Sequence, residues 1–239
     1  MAFKTTDTTS FNLDLNTLIE EAFERCGAEL RTGYDMKTAR RSLNLLMLDW
    51  ANRGINMWTI EQGQQVLSPG VATYDLPVDT IDLLDHVVRT GSGQNQTDIN
   101  ISRISVSTYA TIPNKNALGR PIQVWIERKT GATSATNVEQ NPTITVWPTP
   151  DSSNTYTFVY WRLRRMQDAG NGINGQDIPF RMLPALVSGL AYMLSLKLPG
   201  ADQRTMMLKA MYDEDWQRAS EEDREKAPVR FVPRQSFLR

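Results

Sequence analysis

The first third of the chain spaces its apolar residues as an amphipathic helix does. After Asp14 and Asn16, apolar side chains recur every three or four positions, at Leu18, Ile19, Ala22, Phe23 and Cys26. This spacing predicts a helix that Asp14 or Asn16 caps and that ends near Gly27.

A second helix is predicted after the turn at residues 31–35. Its apolar stripe consists of Ala39, Leu43, Leu46, Met47 and Trp50. Asp35 is a suitable N-cap residue for this helix. Gly54 is expected to end it in the left-handed conformation that glycine adopts without strain. The chain therefore begins with a pair of helices.

Between residues 58 and about 165 the pattern changes to short strands rich in β-branched and aromatic residues. The segments are WTIEQGQQVL, ATYDLP, INISRISV, IQVWIER, TITVWPTP and TYTFVYWRLRR. The first two flank an SPG turn, which predicts a hairpin. Alternation places two sets of side chains on common faces: Ile122, Val124 and Ile126, and Tyr156, Phe158 and Tyr160. Short strands without intervening helices favour an antiparallel sandwich or curled sheet over βαβ units.

Helices return after the glycine-rich stretch DAGNGINGQDIP, for which a flexible turn is expected. Residues 183–198 are apolar nearly all round, which predicts a buried helix that the Pro-Gly pair at 199 and 200 ends. A last helix is predicted over residues 202–226. Its first half carries Met206, Met207, Ala210, Met211 and Trp216, and the solvated run ASEEDREK follows. The four long helices are expected to pack together.

The fold class that follows is α+β. We predict a helix bundle formed by the N- and C-terminal helices, a central antiparallel β-sandwich-like insertion and an extended C-terminal arm. The bundle comprises residues 1–56 and 166–227, the β-rich domain residues 57–165, and the arm residues 228–239.

Composition and charge exclude several classes of function. Hydrophobic residues make up 40% of the 239 residues and charged residues 22%, as is typical of a globular protein. The net charge of −1 argues against a polyanion binder, so any role with nucleic acid requires a local patch. No run approaches the roughly 18 to 20 apolar residues of a membrane span, and no membrane partner is expected. The N-terminus lacks a signal-peptide core, so synthesis in a reducing cytoplasm is expected.

Candidate catalytic and metal-binding residues are few. His86 is the single histidine and Cys26 the single cysteine, which argues against thiolate clusters, zinc and a histidine-based triad. His86 lies beside valines and is interpreted as structural. The DAGNGINGQD stretch lacks the ligand spacing of a calcium loop. We therefore predict no catalytic residue, no cofactor and no metal.

A basic cluster, WRLRR, lies at the end of the last predicted strand. Arg162, Arg164 and Arg165 follow Tyr160 and Trp161, so the cluster could stack on nucleic acid and neutralise it. Arg162 and Arg164 share one strand face, so the cluster equally suits an interface with acidic groups of a neighbouring protein. The interface is the preferred interpretation.

Three segments resemble the head-to-tail adaptor proteins of short-tailed bacteriophages, the connector and tail tubular protein A type. They are DMKTARRSLNLLMLDWANRGINMWTIEQGQQVL, YDLPVD and DIPFRMLPALVSGLAYMLSLK, the last leading into an acidic helix. The resemblance implies a structural virion protein of the tail or neck, made in the host cytoplasm. It further implies a homo-oligomeric ring, of twelve copies, between the portal protein and a tail nozzle or tube protein. Tail fibres are a further possible partner, and double-stranded DNA would pass through non-specifically.

The resemblance also implies a role for the last residues, VRFVPRQSFLR. The segment has no helical or strand period, three arginines and no acid. As an extended arm it would grip the portal through six residues: Arg230, Phe231, Pro233, Arg234, Phe237 and Leu238. The aromatic and aliphatic side chains would fill pockets and the arginines would meet acids. The alternative is a disordered tail with incidental arginines.

Two other functions stay open from the residues alone. One is a tail-attached carbohydrate-binding or fibre-anchoring β module that uses Trp125, Trp147 and Trp161. The other is a tail-associated cell-wall hydrolase that uses the acidic runs 213–215 and 221–223 as general acid and base. The hydrolase is the weaker hypothesis, because acids in consecutive positions of a polar helix stay solvated. We also expect the free protein to be monomeric and to form a ring on meeting the portal.

Overall fold

The computed structural model describes residues 7, 11, 13–31, 33–54, 57–129 and 140–223. The chain divides into two compact units. The first, which we call the helical unit, comprises residues 1–57 and 168–239, and the second, the β unit, comprises residues 58–167. Described helices and strands account for an α+β fold, as the sequence predicts.

The elements are as follows in chain order. The α-helices are α1 Leu15–Cys26, α2 Gly33–Asn52, α3 Val106–Ala110, α4 Leu183–Ser195 and α5 Asp202–Glu222. The strands are β1 Ile60–Leu67, β2 Thr73–Asp75, β3 Thr80–Thr90, β4 Thr97–Asn100, β5 Ser102–Ile104, β6 Leu118–Gly119, β7 Gln123–Glu127, β8 Thr143–Trp147, β9 Thr149–Pro150 and β10 Tyr156–Arg164.

Helix α4 is the centre of the helical unit and packs against α1, α2 and α5. Most of its side chains are buried, which confirms the prediction from its apolar sequence. The predicted stripes of α1 and α2 are buried as well. Trp50 of α2 is fully buried and its indole N–H donates to the Tyr212 hydroxyl of α5 at 2.9 Å.

The helix ends test the capping and terminating residues that the sequence predicts. Asp14 caps α1 by accepting a hydrogen bond from the Thr17 amide at 2.8 Å, and Gly27 ends the helix with a φ of 76°. Gly54 has the predicted left-handed conformation, with a φ of 74°. The prediction for Asp35 is wrong, because α2 already begins at Gly33 and Asp35 lies in its first turn.

The glycine-rich loop 168–178 has a packing role that the sequence did not show. The amides of Leu15 and Asn16 donate to the carbonyl oxygens of Asn174 and Gly172, both at 3.1 Å. A Cβ on Gly172 would lie 2.5 Å from Asn16 Oδ1, so a larger residue there would displace the Asn16 side chain. The loop therefore supplies acceptors for backbone donors that the first turn of a helix leaves unpaired.

The β unit contains two four-stranded sheets, with strand orders β1-β10-β3-β4 and β2-β8-β7-β5, and a two-stranded sheet β6-β9. One hydrophobic core joins both four-stranded sheets, including Val88 and Phe158 from the first and Val124 and Ile144 from the second. This is the predicted sandwich. It is not wholly antiparallel, because β5 pairs with β7 and β6 with β9 in parallel.

The predicted hairpin around the SPG turn is wrong. Strand β1 pairs with β10, and β2 pairs with β8 in the other sheet, so the turn carries the chain from one sheet to the other. The Tyr74 hydroxyl fixes this corner. It accepts from the Ser68 amide and donates to the Val71 carbonyl, both at 2.8 Å. A local turn signal cannot show whether the flanking strands pair with each other.

The predicted strand faces are confirmed in part. Tyr156, Phe158 and Tyr160 are all buried in the core. Val124 and Ile126 are also buried, but Ile122 precedes β7 and is 43% exposed. The sequence analysis also missed the short helix α3, which follows β5 and which Ser105 caps by accepting from the Thr108 amide at 3.2 Å.

Candidate interaction surfaces

The arginine cluster at the end of β10 is paired with acids of the same unit. In the β1–β10 register Glu61 faces Arg162. Glu61 Oε2 lies 2.8 Å from the Arg162 guanidinium and Oε1 lies 2.6 Å from Nε of Arg164. Arg162 also donates to Asp79 Oδ1 and, at 3.1 Å, to the Thr80 hydroxyl. One carboxylate thus bridges two arginines, and a second closes the network from the β3 side.

Electrostatics keep this cluster ionised. Burial opposes the charged form of Asp79, but the hydrogen bond and the charge of Arg162 outweigh it and hold the pKa of Asp79 below its usual range. Burial likewise opposes the charge of Arg162, yet Asp79 and Glu61 raise its pKa further. The side chains of Arg162 and Arg164 are each only 12% exposed, so their charges are largely matched within the unit.

Arg165 completes the cluster in a different way. Its amide donates to the Asp79 carbonyl oxygen at 2.8 Å, and its guanidinium donates to the Val78 carbonyl. Its side chain remains exposed. The structure therefore brings the three predicted arginines together and supplies partners, Glu61 and Asp79, that the sequence analysis missed. Only the strand register, which the sequence does not state, identifies those partners.

His86 is buried in the β unit and has the surroundings of a structural side chain. Its ring stacks on Phe158, with centroids 5.8 Å apart. Burial is the main cause that lowers the pKa of His86, and Arg103 acts in the same direction, whereas Asp85 opposes it. Among the described residues neither ring nitrogen makes a hydrogen bond of good geometry.

Cys26 and the acidic runs also lack the geometry of an active site. The Cys26 thiol is buried against the Ala191 carbonyl oxygen at 3.1 Å, and burial raises its pKa to about 11. Such a thiol is unreactive. On α5, Arg218 pairs with both Glu214 and Asp215, and the run is otherwise largely exposed. No group of His, Cys, Asp and Glu within the described ranges could hold a metal ion.

The three tryptophans of the carbohydrate-binding hypothesis do not form one platform. Trp161 lies on β10, whereas Trp125 and Trp147 lie on the other four-stranded sheet. Tyr109 of α3 stacks on Trp125 with ring centroids 5.2 Å apart. The Trp147 indole donates to the Asn114 carbonyl at 3.0 Å. Trp125 and Trp147 thus have partners within the unit, and Trp161 lies on a different sheet from both.

The helical unit has an open apolar groove of about 730 Å³. The rings of Phe11 and Phe180 stack along it with centroids 5.9 Å apart, and Pro184 and Val187 contribute further apolar lining. The acidic side chain on its wall, Glu21, pairs with Arg25 at 2.8 Å. The groove therefore offers apolar contact rather than acid–base chemistry.

Comparison with known proteins shows the family to which the chain belongs. The sequence model of the family described as SU10 adaptor protein matches residues 14–232. The chain belongs to the SU10 adaptor protein family. No curated protein matches the chain at a significant level. As an SU10 adaptor protein it is a phage head-to-tail adaptor with a structural role in the virion.

Family membership agrees with surfaces that offer apolar contact and ion pairing. Adaptors of this kind interact with portal and tail proteins in general. The six arm residues predicted to bind the portal, residues 230–238, lie outside the described residues. Among the described helices of this SU10 adaptor protein, none is long and apolar enough to cross a membrane.

Proposed function

We propose that this adaptor forms a ring, of twelve copies, between the portal and the distal tail of a short-tailed phage, and that double-stranded DNA passes through the ring. The observation that carries the proposal is the family match over residues 14–232, which includes both units rather than one of them. A ring also suits the partner, because a portal is itself a closed ring and closed symmetry lets each copy make the same contacts.

The arginine network supports passage of DNA without tight binding. Arg162 and Arg164 are paired with Glu61 and Asp79, so two of the three cations of this cluster are neutralised within the unit. DNA affinity depends on the number of cations that displace counterions from phosphates. With a net charge of −1 over the chain, retention of DNA should be weak.

Two contact regions follow from this proposal. The C-terminal arm would reach the portal, with Phe231, Phe237 and Leu238 as anchors, Arg230 and Arg234 setting register, and Pro233 keeping the arm extended. The cluster of Arg162, Arg164 and Arg165 would face a neighbouring subunit, a tail nozzle or tube protein, or a tail fibre. Because Glu61 and Asp79 hold the first two arginines in place, that surface would be rigid before a partner arrives.

The test uses purified full-length adaptor with and without preassembled portal. Sedimentation velocity of the free protein should show a monomer, and negatively stained images of the mixture should show a second ring attached to one end of the portal. Particles of unchanged portal at saturating adaptor would contradict the proposal. A stable free ring would contradict only the expectation of a monomer.

A further inference from the structure

Helix α2 presents a stripe of side chains that points away from the core of the helical unit. The stripe runs Tyr34, Lys37, Arg41, Leu45, Leu48 and Asn52, spaced three or four residues apart. Tyr34, Leu45 and Leu48 are 72%, 52% and 60% exposed. The stripe contains no acid, and its charges lie in the N-terminal half with the two leucines after them. From the N-terminal to the C-terminal end of α2, the stripe is therefore first basic and then apolar.

Helix α5 presents a stripe of the opposite order. Its buried side is formed by Leu208, Tyr212 and Ala219. The opposite side begins with exposed apolar residues, Met206, Met207 and Ala210, and continues with the exposed acids Asp213, Glu214 and Glu221. Two cations flank this side: Arg218, which is paired with Glu214 and Asp215, and the exposed Lys209. The stripe is apolar first and acidic second.

The two stripes are complementary when the helices run antiparallel. The basic pair of α2 lies about 11 Å from its leucines along the axis, and Asp213 and Glu214 of α5 lie about 10.5 Å from its methionines, at 1.5 Å per residue. Opposed helices would therefore place leucines on methionines and Lys37 and Arg41 on Asp213 and Glu214 in a single register. Ala210 lets the backbones approach, and the methionine side chains adapt to the leucines.

The two stripes cannot meet within one copy. Where α2 and α5 approach each other, they do so through their buried sides: Trp50 lies against Trp216 with ring centroids 4.9 Å apart, and its indole bonds Tyr212. The outward stripes face away from that contact. Each copy therefore presents both surfaces at once.

We propose that α2 of one copy packs antiparallel on α5 of the next, through these stripes, and that this contact joins neighbouring subunits. The inference rests on the proposed ring. Pairing α2 with α2 would oppose bases with bases, and α5 with α5 acids with acids, so dimers through two like stripes are disfavoured. A contact between two different surfaces is head-to-tail, the kind that builds a ring when its rotation closes.

Charge reversal tests the contact with the full chain. One variant carries Lys37→Glu and Arg41→Glu, and the other Asp213→Lys and Glu214→Lys. At high protein concentration, where the wild type makes this weak contact, each variant alone should lose self-association by about tenfold or more, because it opposes like charges. Mixed in equal amounts, the two should associate again, since each surface then meets its opposite. That recovery also shows that both variants are folded. Glu20→Lys with Glu24→Lys, exposed acids of α1, is the matched control and should associate as the wild type does.

Cysteine cross-linking gives a second readout for a weak contact, in the free protein at high concentration and in the portal complex. Under oxidation, Leu45→Cys mixed with Ala210→Cys should give dimers, and the double variant a ladder of multimers. Each single variant alone should give little product, because native Cys26 is buried. Homodimers of the single variants, an absent ladder, or charge variants that associate normally would each overturn the inference. If the adaptor still binds portal in those cases, the proposed function stands; a ladder without portal binding would overturn the proposed function alone.

Discussion

The helical unit and the β unit are held together in different ways. In the helical unit the decisive feature is close packing around α4: a Cβ on Gly189 would lie 2.8 Å from both Leu46 and Tyr212 side chains. In the β unit, an apolar core is bordered by ion pairs that tie strand ends together, as Glu61 ties Arg162 and Arg164. We therefore expect the stability of the helical unit to depend most on side-chain volume, and that of the β unit to depend most on side-chain charge.

The largest effect expected is from added volume in the helical unit. Gly189→Val should lower the free energy of unfolding by about 3 kcal/mol, because the branched side chain must displace Leu46 and Tyr212. Chemical denaturation measures the loss, and hydrogen exchange should locate the faster opening in residues of the helical unit. Gly33→Ala is the control: no atom lies within 4 Å of its Cβ position, so stability should stay or rise slightly. Equal losses in both variants would refute the packing argument.

A smaller loss is expected from removal of a charge in the β unit. Arg162→Met should lower the free energy of unfolding by about 2 kcal/mol, because Glu61 and Asp79 lose their shared partner. The loss should be smaller than for a fully buried ion, since both carboxylates are partly solvated. The faster exchange should now appear in β1, β3 and β10. Arg128→Met, 63% exposed and 3.5 Å from Asp82, should change stability by no more than about 0.5 kcal/mol. A neutral Arg162→Met would show that the network does not hold the strand ends.

The third prediction concerns pH and the β unit alone. Burial lowers the pKa of His86, so the unfolded chain binds the proton first as the pH falls through about 6.5. The contribution of His86 is fully present above that pH and is lost progressively below it. Melting curves of the wild type between pH 7.5 and 5.5 should therefore fall more steeply than those of His86→Phe, which keeps the stacking on Phe158. Parallel curves would mean that His86 is protonated equally in both states.

The smallest effect on stability is expected from the arm, which the sequence predicts to lie outside both cores. Removal of residues 229–239 should leave the melting temperature close to that of the full chain and abolish binding to the portal. Phe231→Ala with Phe237→Ala should weaken portal binding more than Arg230→Ala with Arg234→Ala. Buried anchors contribute roughly 1.5 to 3 kcal/mol each, whereas rim charges contribute less affinity. Unchanged portal binding by the truncated chain would refute the arm as the clamp.

The sequence by itself determined the features that depend on neighbours along the chain. The cap at Asp14, the glycine ends at Gly27 and Gly54, the buried α4 and the common face of Tyr156, Phe158 and Tyr160 all follow from local periodicity and backbone conformation. One backbone geometry repeats every 3.6 or 2 residues, so a short segment is enough to show it. The resemblance to phage adaptors also came from such segments, and the family match agrees with it.

Only the tertiary structure decided which distant segments meet. The acids that pair with Arg162 lie 101 and 83 residues away from it, and the strands beside the SPG turn belong to different sheets. It also decided that the methionines of α5 face outward while Leu208 and Tyr212 face α4. A helix with apolar residues on two sides can bury either one, and a strand can pair with any edge that fits. The choice between them is made by packing over the whole chain, which no local pattern contains.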